Sequence, residues 1–216
     1  MTGLPLLLYC LAESSVDTRL MGIGGVQVES LEEGGLRCFY STVSELPVAD
    51  AGAFRERALE FHAVLQAALQ LGTVIPFRFP TLLQTEDELR QYLGSHAAAR
   101  LAELQRLRGR VQMEVRIRPD TPLPQSPSGA DYMRAKAEQR RALDVHAVAV
   151  SDAVRELVHE WRMRNDIHGL RCFALIGWEQ VAAFEQRVRS LSPVVGAAII
   201  VSGPWPPTEF TDVRNS

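Results

Sequence analysis

Histidine is the first residue type to weigh, because it titrates near neutral pH and ligates metals. His146 and His159 fall in one stretch of helical periodicity, 13 residues apart. On a helix that spacing sets them about 140° apart around the axis, so one metal cannot take both. Asp152, Glu156 and His159 share a face at i, i+4 and i+7, which reads as a row of surface ion pairs. His62 sits beside the apolar stripe of another predicted helix. It reads as a hydrogen-bonded, partly buried side chain, with general base as the alternative.

Arg78 lies between Phe77 and Phe79 in an extended segment. Three readings stand open for it: an ion pair with Glu60 or Glu114, a contact with a partner, or a clamp for a substrate carboxylate. Trp205 and Phe210 flank Pro206 and Pro207 near the end of the sequence. They either pack on the protein's own sheet or offer an aromatic ledge to a partner. Cys10, Cys38 and Cys172 are far apart and form no C-x-x-C, which suits buried, reduced thiols. Gly22-Ile-Gly24-Gly25 is a fragment of a dinucleotide fingerprint. Gln27 holds its third glycine position, so it reads as a turn before a strand. The phosphate-loop, nucleophile-elbow and zincin motifs are absent. We expect no catalytic, metal-binding or cofactor-binding residues.

Composition sets the frame. Apolar residues make up 46% of the 216 and charged residues 23%, which places the chain among ordinary globular proteins. A net charge of −3 gives no basic footprint for nucleic acid or membrane. Lys136 is the only lysine, a bias that fits genomic base composition. The apolar run from Leu4 to Leu11 is too short to span a bilayer and reads as a first strand.

The elements follow from periodicity. Strands are predicted at 6–12, 25–30 and 36–41, with a hairpin turn at Glu32-Glu33-Gly34-Gly35. Asp50 caps a helix to Leu71 whose stripe is Phe54, Ala58, Phe61, Leu65 and Leu69. A strand follows at 74–79, with Ile75, Phe77 and Phe79 on one side and Pro76 and Arg78 on the other; Pro76 marks it as an edge strand or a strand start. Thr85 and Glu88 form a capping box for a helix that breaks at Gly94-Ser95 and resumes through Leu101, Leu104 and Leu107. Residues 111–118 alternate as a strand with one solvated face. The prolines of 119–128 make an exposed loop. No Gly or Pro interrupts 130–168, so the apolar stripe from Met133 to Trp161 predicts one helix of about nine turns. A strand at 171–176, a helix at 179–190 and a fully apolar strand at 194–201 complete the chain. The prolines after that strand stop its ladder. The class is α+β, with an N-terminal mixed domain over 1–108 and a C-terminal domain over 109–216. The second domain has a ferredoxin-like order that lacks one element.

Several blocks, in order, resemble the GvpF/GvpL family of gas vesicle proteins. They are Leu8-Tyr-Cys-Leu11, His62-Ala-Val-Leu65 with Val74-Ile-Pro-Phe-Arg-Phe79, and Leu104 to Val115. Gly129-Ala-Asp-Tyr-Met133 and the closing Gly203-Pro-Trp-Pro-Pro207 complete the set. Pro80 departs from the glycine expected after Arg-Phe, and Thr208-Glu209-Phe210 departs from Tyr-Ser-Phe. The resemblance implies two α+β domains, the second a modified ferredoxin-like one with a long helix. It implies a non-enzymatic accessory protein, without cofactor, acting at the gas vesicle in the cytoplasm. Its implied partners are the small hydrophobic shell protein and other gas vesicle accessory proteins, not nucleic acid or membrane. Arg78, Phe79, Trp205 and Phe210 are the candidate contact residues. We expect 203–210 to lie along the C-terminal lobe, anchored by Trp205. The rival class is a small-molecule-binding protein or enzyme on a ferredoxin-like scaffold.

Overall fold

The computed structural model describes residues 4–15, 20–44, 50–121, 128–191 and 196–211. The chain divides into two compact units: Met1–Gly109 with Trp205–Ser216, and Arg110–Pro204.

In the first unit β1 (Leu6–Glu13) is apolar at nearly every position and buried from Leu6 to Ala12. A strand covered on both faces needs such a continuous run rather than alternation. β2 (Glu29–Glu33) and β3 (Leu36–Thr42) form the expected hairpin. Gly34 and Gly35 have φ of 59° and 85°, the pair of positive angles that a tight hairpin turn requires. β2 begins later than its predicted span, because Ile23–Gly25 forms a short 3₁₀ turn first.

α1 (Ala51–Leu71) starts where expected: the Asp50 carboxylate accepts from Gly52 N–H at 2.8 Å. Its Phe61, Val64, Leu65, Ala68 and Leu69 are buried. β4 (Ile75–Pro76) and β5 (Leu82–Leu83) are two-residue strands that both pair with β1. The sheet order is β2-β3-β1-β4, with β5 also on β1. The predicted strand 74–79 is thus shorter than its pattern suggested, and Pro76 is buried.

α2 (Glu86–Leu107) runs unbroken through Gly94-Ser95. The Ser95 hydroxyl donates back to the carbonyls of Gln91 at 2.8 Å and Tyr92 at 3.0 Å, so its side chain does not compete with the helix. Leu89 and Leu93 before the break point and Leu104 and Leu107 after it are fully buried. That burial outweighs the roughly 1 kcal/mol cost of an internal glycine. Thr85 Oγ1 accepts from Glu88 N–H as predicted, but the Glu88 carboxylate reaches Gln84 N–H, one residue earlier than the standard box.

The second unit opens with β6 (Arg110–Pro119). Val111, Met113, Val115 and Ile117 are buried as expected. Gln112 and Glu114 are buried too, so the polar face is not solvated along its whole length. The loop expected at 119–128 falls mostly on residues 122–127, outside the described residues. α3 (Gly129–Val154) is capped by Ser128 Oγ, which accepts from Asp131 N–H at 3.1 Å. Its buried side chains, Leu143, Ala147, Val150 and Val154, all lie in its second half.

The long helix ends early. A 3₁₀ turn at Arg155–Leu157 leads into β7 (Val158–Asp166). Residues 160–166 alternate Glu, Arg, Arg, Asp with Trp, Met, Asn, a period of two that tertiary pairing selects over the helical reading. The Arg187 guanidinium donates to Ala153 O at 3.2 Å, satisfying a carbonyl at the helix end. His146 and His159 therefore lie on different elements, and the Asp152-Glu156-His159 helix face does not exist. Asp152 pairs instead with Arg155, and Glu156 with Arg187.

β8 (Gly169–Gly177) is buried from Cys172 to Gly177. α4 (Val181–Ser190) buries Phe184 and Val188. β9 (Ala197–Trp205) closes the unit in sequence. The second sheet has the order β7-β8-β6-β9. With α3 and α4 this is βαββαβ, so the element missing from the sequence reading is β7. β9 is an edge strand and half-exposed, where so apolar a run suggests a central or covered strand, and it includes Pro204 within its span, a position that edge strands tolerate. Val194 and Val195, assigned to this strand, lie outside the described residues.

Candidate functional site

The aromatic residues around β4 converge on α1. Phe79 sits 5.2 Å from Phe54 and 5.0 Å from Phe61, between ring centroids. Phe61 stacks in turn on Tyr9 at 5.2 Å. The Tyr9 hydroxyl donates to Ser41 Oγ at 3.2 Å and accepts from Ile23 N–H at 3.0 Å, which ties the glycine turn to the core. Gly22 has to be glycine there: a Cβ would stand 2.5 Å from the Tyr9 hydroxyl. Phe77 turns to α2 instead, 5.8 Å from Tyr92, which stacks on His96 at 4.5 Å.

Arg78 is exposed between these two clusters. Neither predicted carboxylate pairs with it. Glu60 accepts from Arg57 at 2.7 Å and from Gly24 N–H at 2.9 Å. These bonds, the Arg57 bond foremost, lower its pKa. The fragmentary fingerprint thus spends an amide on a side-chain carboxylate of its own unit. Glu114 is held by Arg116 and Arg171. Arg78 is left facing solvent, its carbonyl accepting from Thr81 Oγ1 at 2.6 Å.

Trp205 packs on the His62 ring of α1, with centroids 4.8 Å apart and planes at 56°. This differs from the expected anchorage on the C-terminal lobe, since His62 and Trp205 both belong to the first unit. Burial lowers the His62 pKa, so the imidazole is neutral at pH 7. Phe210 is fully buried, and its carbonyl accepts from the Arg106 guanidinium. Its ring therefore offers no surface to a partner; it holds the tail in place. Of the four candidate contact residues, Phe79 and Trp205 meet α1, Arg78 is open to solvent, and Phe210 is core.

The cysteines are buried and unbridged. Burial pushes the thiols of Cys10 and Cys172 up to about 12 and that of Cys38 well up, so none is a nucleophile at neutral pH. Among the described residues no group of three or more His, Cys, Asp and Glu could hold a metal ion. None of the described helices is long and apolar enough to cross a membrane.

Two features of the second unit escaped the sequence reading. One is an open cleft of about 680 Å³ that includes Arg118, Lys136, Arg140, Asp166 and His168 in its lining. The other is an arginine cluster on the second sheet. Glu114, 5% exposed, accepts from Arg116 Nε and Arg171 Nε, both at 2.7 Å. Burial alone would raise its pKa; the bonds from the two guanidiniums outweigh that and lower it. Arg171 also lies over the Phe173 ring, 5.0 Å from its centroid. The sequence shows only Glu114-x-Arg116 of this cluster, because Arg171 comes from another strand.

The family model described as "Gas vesicle synthesis protein GvpL/GvpF" matches residues 5–212. No curated protein matches by sequence. Among solved structures, the gas vesicle protein GvpF from Anabaena sp. PCC7120 superposes with a TM-score of 0.82 at 20% identity, covering 98% of this chain and 97% of that one. GvpF from Microcystis aeruginosa gives 0.80 at 18% identity, covering 97% and 99%. At such identity these structures establish a shared fold.

Proposed function

The chain belongs to the gas vesicle synthesis protein GvpL/GvpF family, and from that membership we propose that it is a non-catalytic accessory that binds the small hydrophobic shell protein during gas vesicle nucleation and assembly. The observation that carries this reading is the family match over nearly the whole chain. The physical logic is simple. A shell subunit with a large apolar surface aggregates unless that surface is covered. The first unit presents apolar side chains for such cover: Leu59 and Leu71 of α1 are 62% and 47% exposed. Arg78, Phe79 and Trp205 are the contact residues we assign. The place of action is the gas vesicle in the cytoplasm, with other gas vesicle accessory proteins as further partners.

Co-expression of the tagged full chain with the shell protein tests this. The expected result is retention of the shell protein on the tagged chain. Retention should weaken in an Arg78→Glu/Leu59→Glu variant that remains folded. A folded chain that retains no shell protein overturns the reading.

A further inference from the structure

The cleft of the second unit has the first half of α3 on one side. On the other side are the end of β6 and the turn between β7 and β8. Tyr132, Lys136, Arg140 and Leu143 stand at i, i+4, i+8 and i+11 of α3, on one face of the helix. The opposite wall is set by close backbone packing. Gly169 pairs with Asp166, and a Cβ on it would stand 2.2 Å from the Ile117 carbonyl oxygen and 3.2 Å from the Arg118 Cα. Arg118 and Asp166 thus lie on the two strands flanking Gly169, their backbones about 10 Å apart across two strand spacings. Glycine leaves no side chain between them. All three residues line the cleft, whose volume of about 680 Å³ is that of a small-molecule site.

The charges of the lining are not all spent on one another. Arg140 is answered by Asp144 at 3.0 Å. Asp166 helps to hold Arg116 charged, and Arg116 lies outside the lining. Among the described residues no hydrogen bond or ion pair engages the side chains of Arg118 and Lys136. Asp120, exposed at the end of β6, is the remaining carboxylate of the lining. Tyr132 is 41% exposed beside them. The cleft thus offers two unanswered cations, an open aromatic ring and carboxylate acceptors. A ligand that uses all of these carries an anionic group, a flat ring and hydroxyl donors.

We propose that this cleft binds a nucleoside phosphate, with the phosphate at Arg118 and Lys136, the base against the Tyr132 ring and the ribose hydroxyls donating to Asp120 and Asp166. Guanidinium and ammonium groups make charge-assisted hydrogen bonds to phosphate oxygens. An aromatic ring stacks on any base. A carboxylate accepts from ribose hydroxyls, as in dinucleotide sites. A bare inorganic anion would use the two cations alone and would meet the carboxylates as repulsion. A neutral nucleoside would leave the cations unanswered. The site lies wholly in the second unit, whereas the shell-protein contacts are assigned to the first. The titration below and the pull-down above can therefore fail separately.

The test is calorimetric titration of the full chain with ADP and with UDP, a purine and a pyrimidine, in buffer containing EDTA. Inorganic phosphate and adenosine are the comparisons. Saturable one-site binding of at least one nucleotide is expected, with phosphate and adenosine each about tenfold weaker or more, since each engages part of the site. Arg118→Gln with Lys136→Gln should weaken nucleotide binding about tenfold or more. Tyr132→Ala should weaken it about tenfold, and Tyr132→Phe, which keeps the ring, should not. Arg141→Gln removes an exposed cation of α3 outside the lining and should change nothing. Lys136→Gln alone, on an exposed side chain, covers the case in which the double variant does not fold. The proposal is overturned if neither nucleotide binds saturably, or if phosphate or adenosine binds as tightly. Equal weakening in Arg141→Gln also overturns it.

Discussion

Trp205 and His62 meet ring against ring, 4.8 Å between centroids, although 143 positions separate them in the chain (205 − 62). His62 is half-buried and its pKa lies below the ordinary 6.5. The unfolded chain therefore takes up a proton before the folded one does. Stability from this site is intact above pH 6.5 and is lost as pH falls through the lowered folded value. Melting temperatures at about pH 7.5, 6.5 and 5.5 should fall more steeply for the wild type than for His62→Gln. Parallel slopes would refute the assignment.

The tail gives a rank order. Phe210 is fully buried and Trp205 partly so. Phe210→Ala should cost about 3–5 kcal/mol and Trp205→Ala about 2 kcal/mol, the smaller loss reflecting partial burial. Urea denaturation checks both. A Trp205→Ala loss larger than that of Phe210→Ala would reverse the roles assigned to the two rings.

Gly169 and Gly129 make a matched pair. Gly169 has φ of 144°, and a Cβ there would stand 2.2 Å from the Ile117 carbonyl oxygen. Gly129 opens α3, and a Cβ there would meet nothing within 4 Å. Gly169→Ala should destabilise by about 3 kcal/mol or more, combining backbone strain with overpacking. Gly129→Ala should be neutral or stabilise by up to about 1 kcal/mol. Thermal melts of the two variants decide it, and a tolerated Gly169→Ala would contradict the close approach of β8 to β6 at this point.

Glu114 predicts an acid effect. Its folded pKa is lowered, so its contribution is present above the unfolded carboxyl value and lost as pH falls through the folded one. Glu114→Gln should cost about 1–3 kcal/mol at pH 7, because the oxygen that two guanidiniums share loses its negative charge. The gap between wild type and variant should narrow on acidification below about pH 4.5. A gap that widens instead would show that the carboxylate is not the charged partner of Arg116 and Arg171.

Local signals were legible where one residue decides a local geometry. The Asp50 cap, the Gly34-Gly35 turn and the buried alternation of Val111 to Ile117 all came from the sequence. The α+β class and the family followed from such pieces in order. Failures arose where distant partners choose between two acceptable periods. Val154, Leu157 and Trp161 satisfy a helical stripe, while Trp161, Met163 and Asn165 satisfy a strand. Only pairing with Ala174, Cys172 and Leu170 of β8 settles the matter. Gly94 and Ser95 misled for the opposite reason, since buried leucines on both sides carry the helix past them. The cluster of Arg116 and Arg171 on Glu114 could not be read locally, because its members come from two strands 55 positions apart in the chain (171 − 116). For Phe210 the sequence left packing and a partner ledge both open, because Glu209 and Thr211 on either side give no sign that the ring sits in the core.

The first unit is discontinuous: it draws its last residues from beyond Pro204, after the chain has built all of the second. On a ribosome, residues 110–204 emerge as one uninterrupted stretch and can close without waiting for anything downstream. The first unit, begun earlier, stays incomplete until Trp205 and Phe210 leave the exit tunnel. Synthesis order and completion order are thereby inverted, and a premature stop just after Pro204 would injure the half of the protein that was translated first.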